Sequence, residues 1–295
     1  MALAVCCWRS GPESNRHTRI CSPLHHHSAT GPWGVGLYIP GAALPVKPWG
    51  GLFAAAVELS PSGPLYSQRN QLREKVYMTQ PATQDIARNN MVDGQVRPNQ
   101  VSDQRVIEAM RSLPREAFAP AGALAYADTD IDLGQGRHLA SPLVTARLAQ
   151  LVLASKPGEV LVVAAGSGYL AAVLAACGAR VVALEEEARL QSRALAQYAP
   201  EVESVCAPLA AGYPAGGPYD VIVIEGAVPA IPENFAAQLA PGGRVVTILA
   251  EGDEPAGLGR AVSAEAVGTG FVTVRAFDCT ARILPAFRRA PAFSL

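Results

Sequence analysis

The amino-acid sequence predicts an α/β fold: a mostly parallel sheet with helices on both faces, a helical segment before it and an antiparallel hairpin that closes it. Two observations support this prediction. Short apolar strands alternate with helix-like segments from residue 159 onward, and the first of these strands ends in a turn of small residues. Strands that are separated by helices form parallel sheets, which bind ligands at the carboxyl ends of their strands.

The strand, turn and helix at residues 159–178 are the centre of the predicted sheet. Residues 160–163 are an unbroken aliphatic run, typical of a strand buried on both faces, and residues 169–177 are rich in Ala and Leu. The turn between them contains Gly166, Ser167 and Gly168. Such a turn brings backbone N–H groups and the positive end of a helix to one point, where nucleotide-like ligands bind. Small residues could equally serve only the close packing of the helix on the sheet.

The other elements follow from the same patterns. Further strands are predicted at residues 180–184, 202–206, 219–225 and 244–249, and the closing hairpin at residues 261–267 and 271–277. Helices are predicted at residues 84–92, 103–112, 187–198 and 232–239. Ser102 is expected to cap the second of these helices, and Ser141, followed by Pro142, is expected to begin one more.

Residues 1–77 differ in composition from the rest of the chain. They contain all three Trp residues, four of the five His residues and three of the six Cys residues, and their apolar residues show no helical or strand period. Residues 13–24 are similar to peptides that arise when a transfer-RNA gene is translated on its opposite strand. We therefore expect that the reading frame was opened upstream of a natural start at Met78. The alternative is a real but disordered extension.

The predicted folded domain is therefore residues 78–295. Within it, residues 78–158 are expected to form a helical cap and substrate region, and residues 159–295 the ligand-binding sheet. The net charge of −1 gives no electrostatic reason to expect a nucleic acid or an anionic membrane as a partner. No metal is implied, because the three adjacent histidines at residues 25–27 have no partner ligands at defined spacing. The sequence leaves the oligomeric state open.

The cysteines of the predicted domain indicate a reducing compartment. They are Cys177, Cys206 and Cys279. They show no paired spacing and lie within or beside apolar segments, where Cys behaves as a small hydrophobic residue. We therefore expect a cytoplasmic protein.

Several motifs occur in the order found in one enzyme family. They are Ala109-Met110-Arg111-x-x-Pro114-Arg115-Glu116-x-Phe118-x-Pro120, Ala125-Tyr126-x-Asp128, Gly166-Ser167-Gly168-Tyr169-x-Ala171-Ala172-Val173-Leu174-Ala175, Pro218-Tyr219-Asp220-Val221-Ile222-Val223, Ile231-Pro232-Glu233 and Gln238-Leu239-x-Pro241-Gly242-Gly243-Arg244. With these motifs the chain resembles the protein-L-isoaspartate O-methyltransferases over nearly all of residues 78–249. The resemblance implies a Rossmann-like fold of the class I methyltransferases.

The resemblance also implies a reaction and a cofactor. The reaction is methyl transfer from S-adenosylmethionine to the carboxylate of L-isoaspartyl or D-aspartyl residues, which starts the repair of damaged proteins, so the implied partners are isoaspartyl-containing proteins or peptides. The implied cofactor-binding residues are Gly166, Ser167, Gly168, Tyr169 and Glu185. Of these, Glu185 matches the acid that accepts both ribose hydroxyls. An acid is also favoured there simply as the start of an acidic helix.

The chain departs from the family's pattern at cofactor positions and at one substrate position. Val162 and Ala164 replace an acid and a glycine of the family, and Pro208 corresponds to an adenine-binding Asp. The family's Thr-Ile-Ser-x-Pro segment, whose serine is thought to orient the substrate carboxylate, corresponds to residues 138–142, where Ala140 replaces that serine.

Nearby residues are candidates to replace the missing serine. We assign the catalytic positions to His138 and Ser141, with Arg137 beside them, as a hypothesis. The alternatives are that Ser141 only caps a helix and that His138 is a structural or exposed loop residue.

Two other classes of function stay open beside the methyltransferase. The altered motif positions would also suit a non-catalytic relative that acts as a binding or regulatory module. Gly166-x-Gly168-x-x-Ala171, with Glu185 after the next strand, also fits the dinucleotide fingerprint of an NAD-dependent oxidoreductase. The motifs at residues 218–223 and 241–244 favour the methyltransferase over the oxidoreductase.

Overall fold

The structure is a computed structural model that describes residues 83–190, 193–252, 256–268 and 270–288. The predicted extension over residues 1–77 lies outside these residues, so the boundary at Met78 stays a prediction.

The residues before the main sheet form a helical cap that contains one small hairpin. Its elements are α1 (residues 83–91), α2 (Gln104–Ser112), β1 (Ile131–Gly134), β2 (Arg137–Leu139) and α3 (Pro142–Leu153). Asp103, and not the predicted Ser102, caps α2, because its carboxylate accepts a hydrogen bond from the Arg105 N–H at 3.0 Å. Ser141 caps α3 as predicted: its hydroxyl accepts from the Val144 N–H at 3.5 Å.

A seven-stranded sheet follows the cap. Its strands and the helices between them are β3 (Glu159–Val163), α4 (Tyr169–Ala176), β4 (Arg180–Glu185), α5 (Arg193–Tyr198), β5 (Glu203–Cys206), β6 (Tyr219–Val228), β7 (Leu239–Ala250), β8 (Ala256–Val267) and β9 (Gly270–Arg282). The order across the sheet is β5-β4-β3-β6-β7-β8-β9. The strands from β5 to β7 run parallel, and β8 and β9 are antiparallel to their neighbours. The predicted fold class is confirmed.

The central strand β3 is buried on both faces, as its aliphatic run predicts. Val160 and Val162 belong to the core cluster that contains the cap helices and α4, whereas Leu161 and Val163 belong to the cluster on the opposite face. Alternate side chains of a strand point to opposite faces, so one apolar run supplies both cores. The start of β3 is fixed by Asp220 of β6, whose carboxylate accepts hydrogen bonds from two backbone N–H groups, at residues 158 and 159.

The structure differs from the prediction mainly in two helices and in the closing strands. The helix expected at residues 232–239 is a 3-10 helix, Glu233–Gln238. In the helix expected at residues 187–198, Ala188–Leu190 form a 3-10 turn, and the described part of α5 begins at Arg193. The closing hairpin is longer than predicted. In the sheet β8 lies beside β7, and the last strand, β9, forms the edge.

The helix at residues 233–238 is short because side chains in it bind a neighbouring loop. The Asn234 amide donates to the carbonyl oxygens of Ala210 and Ala211 at 3.0 and 3.1 Å. The buried Gln238 amide accepts from the Tyr213 N–H at 2.9 Å and donates to the Ala211 carbonyl at 2.9 Å. These bonds fix the loop before β6 against the segment that leads into β7. No helix in the described part of the chain is long and apolar enough to cross a membrane.

Two glycines flank α4 and differ in their surroundings. Gly168 caps its beginning with a φ of 85°, and a Cβ there would lie 2.8 Å from the Leu195 side chain of α5. Gly178 follows its end with a φ of 93°, and nothing lies within 4 Å of the position of its Cβ. Both positions require the left-handed backbone that glycine adopts readily, but only Gly168 is also limited by packing.

The different surroundings of Gly168 and Gly178 predict that an alanine destabilises the protein more at the first position than at the second. Gly178→Ala should cost about 1 kcal/mol from backbone strain, and Gly168→Ala should cost about 2–4 kcal/mol because the added methyl group also displaces Leu195. Urea unfolding of the two variants measures the difference. Equal losses would mean that Leu195 moves aside without cost.

Candidate functional site

The carboxylate of Glu185 joins the end of β4 to the small-residue turn after β3. Glu185 is 1% exposed, and its Oε2 accepts a hydrogen bond from the Gly166 N–H at 3.0 Å. Its Oε1 accepts from the backbone N–H groups of Glu186 and Glu187 at 2.9 and 3.2 Å. The structure therefore brings together the two features that the sequence analysis assigned to cofactor binding.

The same carboxylate also binds Arg137 of β2. The Arg137 Nε lies 3.3 Å from both Glu185 oxygens, and the Nη2 donates to Glu186 Oε1 at 2.6 Å. Arg137 is 2% exposed, so this is a buried ion pair. A carboxylate offers roughly four lone-pair sites, and the three backbone N–H groups and the arginine together use them. In this conformation a sugar hydroxyl can bind Glu185 only after Arg137 withdraws.

The backbone of the turn has the left-handed conformation at three positions. Ala164, Gly166 and Gly168 have φ values of 61°, 54° and 85°. At Ala164 an alanine adopts a conformation that favours glycine, which agrees with the glycine that the family has there. A Cβ on Gly166 would lie 3.2 Å from the Leu133 side chain of β1. The hairpin of β1 and β2 therefore covers this turn with Leu133 and binds Glu185 with Arg137.

Two further residues of the predicted cofactor site are buried at the turn. Ser167 is 6% exposed, and Tyr169 is fully buried. The Tyr169 ring packs edge-on against Phe118 with 5.3 Å between the ring centres, and the Arg115 guanidinium lies 4.9 Å from the ring centre. The aromatic ring of Tyr169 is thus part of the core between α4 and the cap.

Arg115 explains why the Pro-Arg-Glu motif matters to the fold. It is fully buried, its Nε donates to the Ala125 carbonyl at 2.8 Å, and its Nη2 donates to the Ala140 carbonyl at 2.5 Å. In the sequence this residue is only part of a motif. In the structure it joins two parts of the cap: the loop at Ala125 and the segment before α3 that carries His138 and Ser141.

The structure separates the three residues proposed to replace the missing serine. Successive side chains of a strand point to opposite faces, and in β2 Arg137 binds Glu185 while His138 lines a small cavity on the other side. The imidazole of His138 lies 3.8 Å from the Asp132 carboxylate. Burial, with a contribution from Arg282, lowers the pKa of His138, so the imidazole is neutral at neutral pH. Arg137 therefore does not act together with His138 in this conformation.

Ser141 lies at the beginning of α3, where its backbone N–H donates to the Asp130 carboxylate at 2.9 Å. It lines a half-open cavity of about 750 Å³ between α3 and the closing strands β8 and β9. A second cavity, of about 40 Å³, contains His138 and Ala140 in its wall. The two cavities share the lining residues Asp130, Val144, Thr280 and Arg282.

Glu225, in the wall of the smaller cavity, is not among the site residues predicted from the sequence. It lies in β6, directly after Ile224, which pairs with Val163 at the end of β3. Burial raises the pKa of Glu225 to about 8, the charge of Arg115 lowers it, and the charge of Glu185 raises it. The signal was present in the sequence, because an acid that ends an apolar strand at the ligand-binding edge of a parallel sheet is a candidate site residue.

These features define a class of protein. A parallel sheet with an antiparallel end, in which the acid that ends one strand accepts a hydrogen bond from the small-residue turn after the neighbouring strand, is that of a class I methyltransferase dependent on S-adenosylmethionine. A family model described as Protein-L-isoaspartate(D-aspartate) O-methyltransferase (PCMT) matches residues 87–258. The chain belongs to this family.

Individual relatives agree with the family match. A protein-L-isoaspartate O-methyltransferase from Methylorubrum populi is 40% identical over 168 residues, which are 55% of this chain and 79% of the relative. One from Methanoculleus marisnigri is 36% identical over 165 residues, which are 54% of this chain and 75% of the relative. Among solved structures, a Plasmodium falciparum protein-L-isoaspartate O-methyltransferase in complex with S-adenosyl-L-homocysteine has a TM-score of 0.58 at 19% identity, with 68% of this chain and 98% of that chain covered. This likeness supports the fold.

We propose that S-adenosylmethionine fits at the carboxyl ends of β3 and β4 once the hairpin of β1 and β2, which covers the turn in this conformation, moves away. Gly166, Ser167 and Gly168 keep the turn narrow, and Glu185 is held by backbone N–H groups as a fixed acceptor. The residue that opposes this fit is Arg137, because it uses the same carboxylate oxygens.

This competition gives a prediction for cofactor affinity. Arg137→Gln should increase the affinity for S-adenosylhomocysteine by about 3- to 10-fold, because Glu185 no longer has to release the guanidinium before it binds the sugar. The same variant should lower the free energy of unfolding without ligand, because a partner of a buried ion pair is removed. Titration calorimetry and urea unfolding measure the two effects.

The matched control is Arg180→Gln, which removes an arginine that is 83% exposed at the start of β4 and should change neither quantity. A loss of S-adenosylhomocysteine affinity in Arg137→Gln would contradict the prediction and would make Arg137 part of the cofactor site.

Proposed function

We propose that this chain transfers the methyl group of S-adenosylmethionine to the free carboxylate of L-isoaspartyl or D-aspartyl residues in damaged proteins or peptides. The observation that carries the proposal is the family membership of residues 87–258, and a half-open cavity of about 750 Å³ between α3 and the closing strands offers room for a peptide. The function of a non-catalytic binding module gains no support from these findings.

The chemistry makes modest demands on the protein. A carboxylate with an ordinary pKa of about 4 is already ionised at neutral pH, so its attack needs no general base. When bound, S-adenosylmethionine supplies an electrophilic methyl group and leaves as the neutral thioether. The chain has to bring the acceptor carboxylate into line and to exclude water, and such positioning corresponds to effective molarities of roughly 10⁵–10⁸ M.

Two groups of described residues would share these tasks. Glu185 and the turn from Gly166 to Gly168 would hold the sugar and the methionine part. The half-open cavity at Ser141 would accommodate the peptide, and the acceptor carboxylate would enter the small cavity, which extends from His138 to the part of β6 that lies beside the turn. Ser141 and His138 are thus proposed substrate-binding residues, with His138 a neutral hydrogen-bond donor.

We also propose a cytoplasmic location. Cys177, Cys206 and Cys279 are free thiols in the described part of the chain, and burial raises the pKa of Cys177 and of Cys279 to about 11. Both thiols stay protonated at neutral pH and are unreactive, as suits a protein that does not need disulfides.

A peptide assay tests the function and the predicted domain together. The full chain, and a chain that begins at Met78, should transfer labelled methyl groups to an isoaspartyl peptide and not to the aspartyl peptide of the same sequence, since the free carboxylate is on the α-carbon only in the isoaspartyl residue. If neither transfers label although both bind S-adenosylhomocysteine, the proposed reaction is wrong. Activity in the full chain alone would instead refute the domain boundary.

A double variant tests the two proposed substrate-binding residues. His138→Ala with Ser141→Ala should raise KM for the isoaspartyl peptide about 10-fold, which is the effect of one lost hydrogen bond to a charged group, and leave S-adenosylhomocysteine affinity unchanged. Ser141→Asn is the control, because Asn still caps α3. If the double variant methylates the peptide as the wild type does, neither residue binds the substrate and both are only structural.

A further inference from the structure

Glu225 is a buried carboxyl group with no role in the reaction as described so far. It is 7% exposed, and its Oε2 has no hydrogen-bond partner in the described part of the chain. The side chain lines the 40 Å³ cavity together with His138 and Ala140. A buried polar atom without a partner costs about 1–3 kcal/mol, so its presence in a cavity requires an explanation.

The position of Glu225 is between the cofactor turn and the substrate cavity. Val163 of β3 pairs with Ile224 of β6. The next residues, Ala164 at the start of the turn and Glu225 in β6, therefore lie at the same level. Val163 also pairs with Leu184 of β4, so Glu185 and Glu225 lie at the same level on the two strands that flank β3. The cavity in front of Glu225 shares four lining residues with the half-open peptide cavity.

The charged groups around Glu225 come from several elements. Arg115 from the cap lowers the pKa of Glu225 and Glu185 at the end of β4 raises it, but burial outweighs both, so the carboxyl group keeps its proton at neutral pH. The cavity wall adds His138 from β2, Asp130 before β1 and Arg282 at the end of β9. A neutral carboxylic acid has an O–H donor, and a buried acid of this kind is an established way to bind an anionic oxygen.

We propose that the Glu225 carboxylic acid donates a hydrogen bond to one oxygen of the carboxylate that is methylated, and thereby selects a carboxylate as the acceptor. The proposal rests on the proposed function and adds a substrate-binding residue to it. One substrate oxygen accepts the Glu225 proton in a hydrogen bond, and the other oxygen stays free to attack. The proton stays on Glu225, so the transfer itself changes no protonation state in the protein.

The same arrangement predicts that the substrate carboxylate binds more weakly at high pH. An ionised Glu225 has no proton to donate and repels the substrate carboxylate. A bound carboxylate that accepts this proton raises the pKa of Glu225, so the affinity is highest while Glu225 is protonated. Substrate affinity should therefore fall as the pH rises above about 8.

The test compares wild type, Glu225→Gln and Glu225→Ala. The affinity for an isoaspartyl peptide is measured by calorimetry on the full chain, with S-adenosylhomocysteine present, at pH 7 and pH 9. The wild type should lose about 10-fold in affinity at pH 9, as expected for one pH unit above the pKa. Glu225→Gln keeps an N–H donor without a titrating proton, so its affinity should change little with pH. Glu225→Ala should bind about 10-fold more weakly at both pH values.

Glu108→Gln, on the exposed face of α2, is the control for the loss of a carboxylate and should follow the wild type at both pH values. Equal affinities of wild type and Glu225→Gln at pH 9 would overturn the role of Glu225, and this comparison holds even if Glu225→Ala does not fold. If the wild type binds S-adenosylhomocysteine but no isoaspartyl peptide at either pH, the proposed function is overturned and the role of Glu225 with it.

Discussion

The site depends on one carboxylate, that of Glu185, and on the donors that surround it. It accepts hydrogen bonds from the backbone at Gly166, Glu186 and Glu187, which fixes the end of β4 to the turn after β3. It also binds Arg137, which fixes the hairpin of the cap to the sheet. A buried charge of this kind is tolerated only when it is fully paired. The same group therefore holds the cap, the turn and the sheet together and is the proposed acceptor for the cofactor's sugar.

Most of the fold could be predicted because its signals are local. The aliphatic residues of β3, the glycines of the turn and the Ser-Pro start of α3 each determine their element without help from distant residues. The predicted α-helix at residues 232–239 was wrong, because contacts with residues distant in sequence determine the structure there. Asn234 and Gln238 bind carbonyl groups of residues 210–211, and this competes with regular helix formation at residues 233–238.

The candidate site was predictable only in part for the same reason. Glu185 was predictable from its place after a strand, but its partner Arg137 is 48 residues away in sequence and lies in a hairpin too short to give a clear strand pattern. Glu225 ends an apolar run and could have been singled out. Its protonated state could not, because it results from burial among groups of β2, β4, β9 and the cap.

The strand β2 carries a candidate site residue on each of its two faces. Arg137 points to the acid at the end of β4, and His138 points to the cavity that contains Glu225. A ligand that displaces Arg137 from Glu185 would therefore act on the same three-residue strand that carries His138. If that strand moves as a unit, a ligand on either face changes the affinity for a ligand on the other face by the same factor, because such coupling is reciprocal.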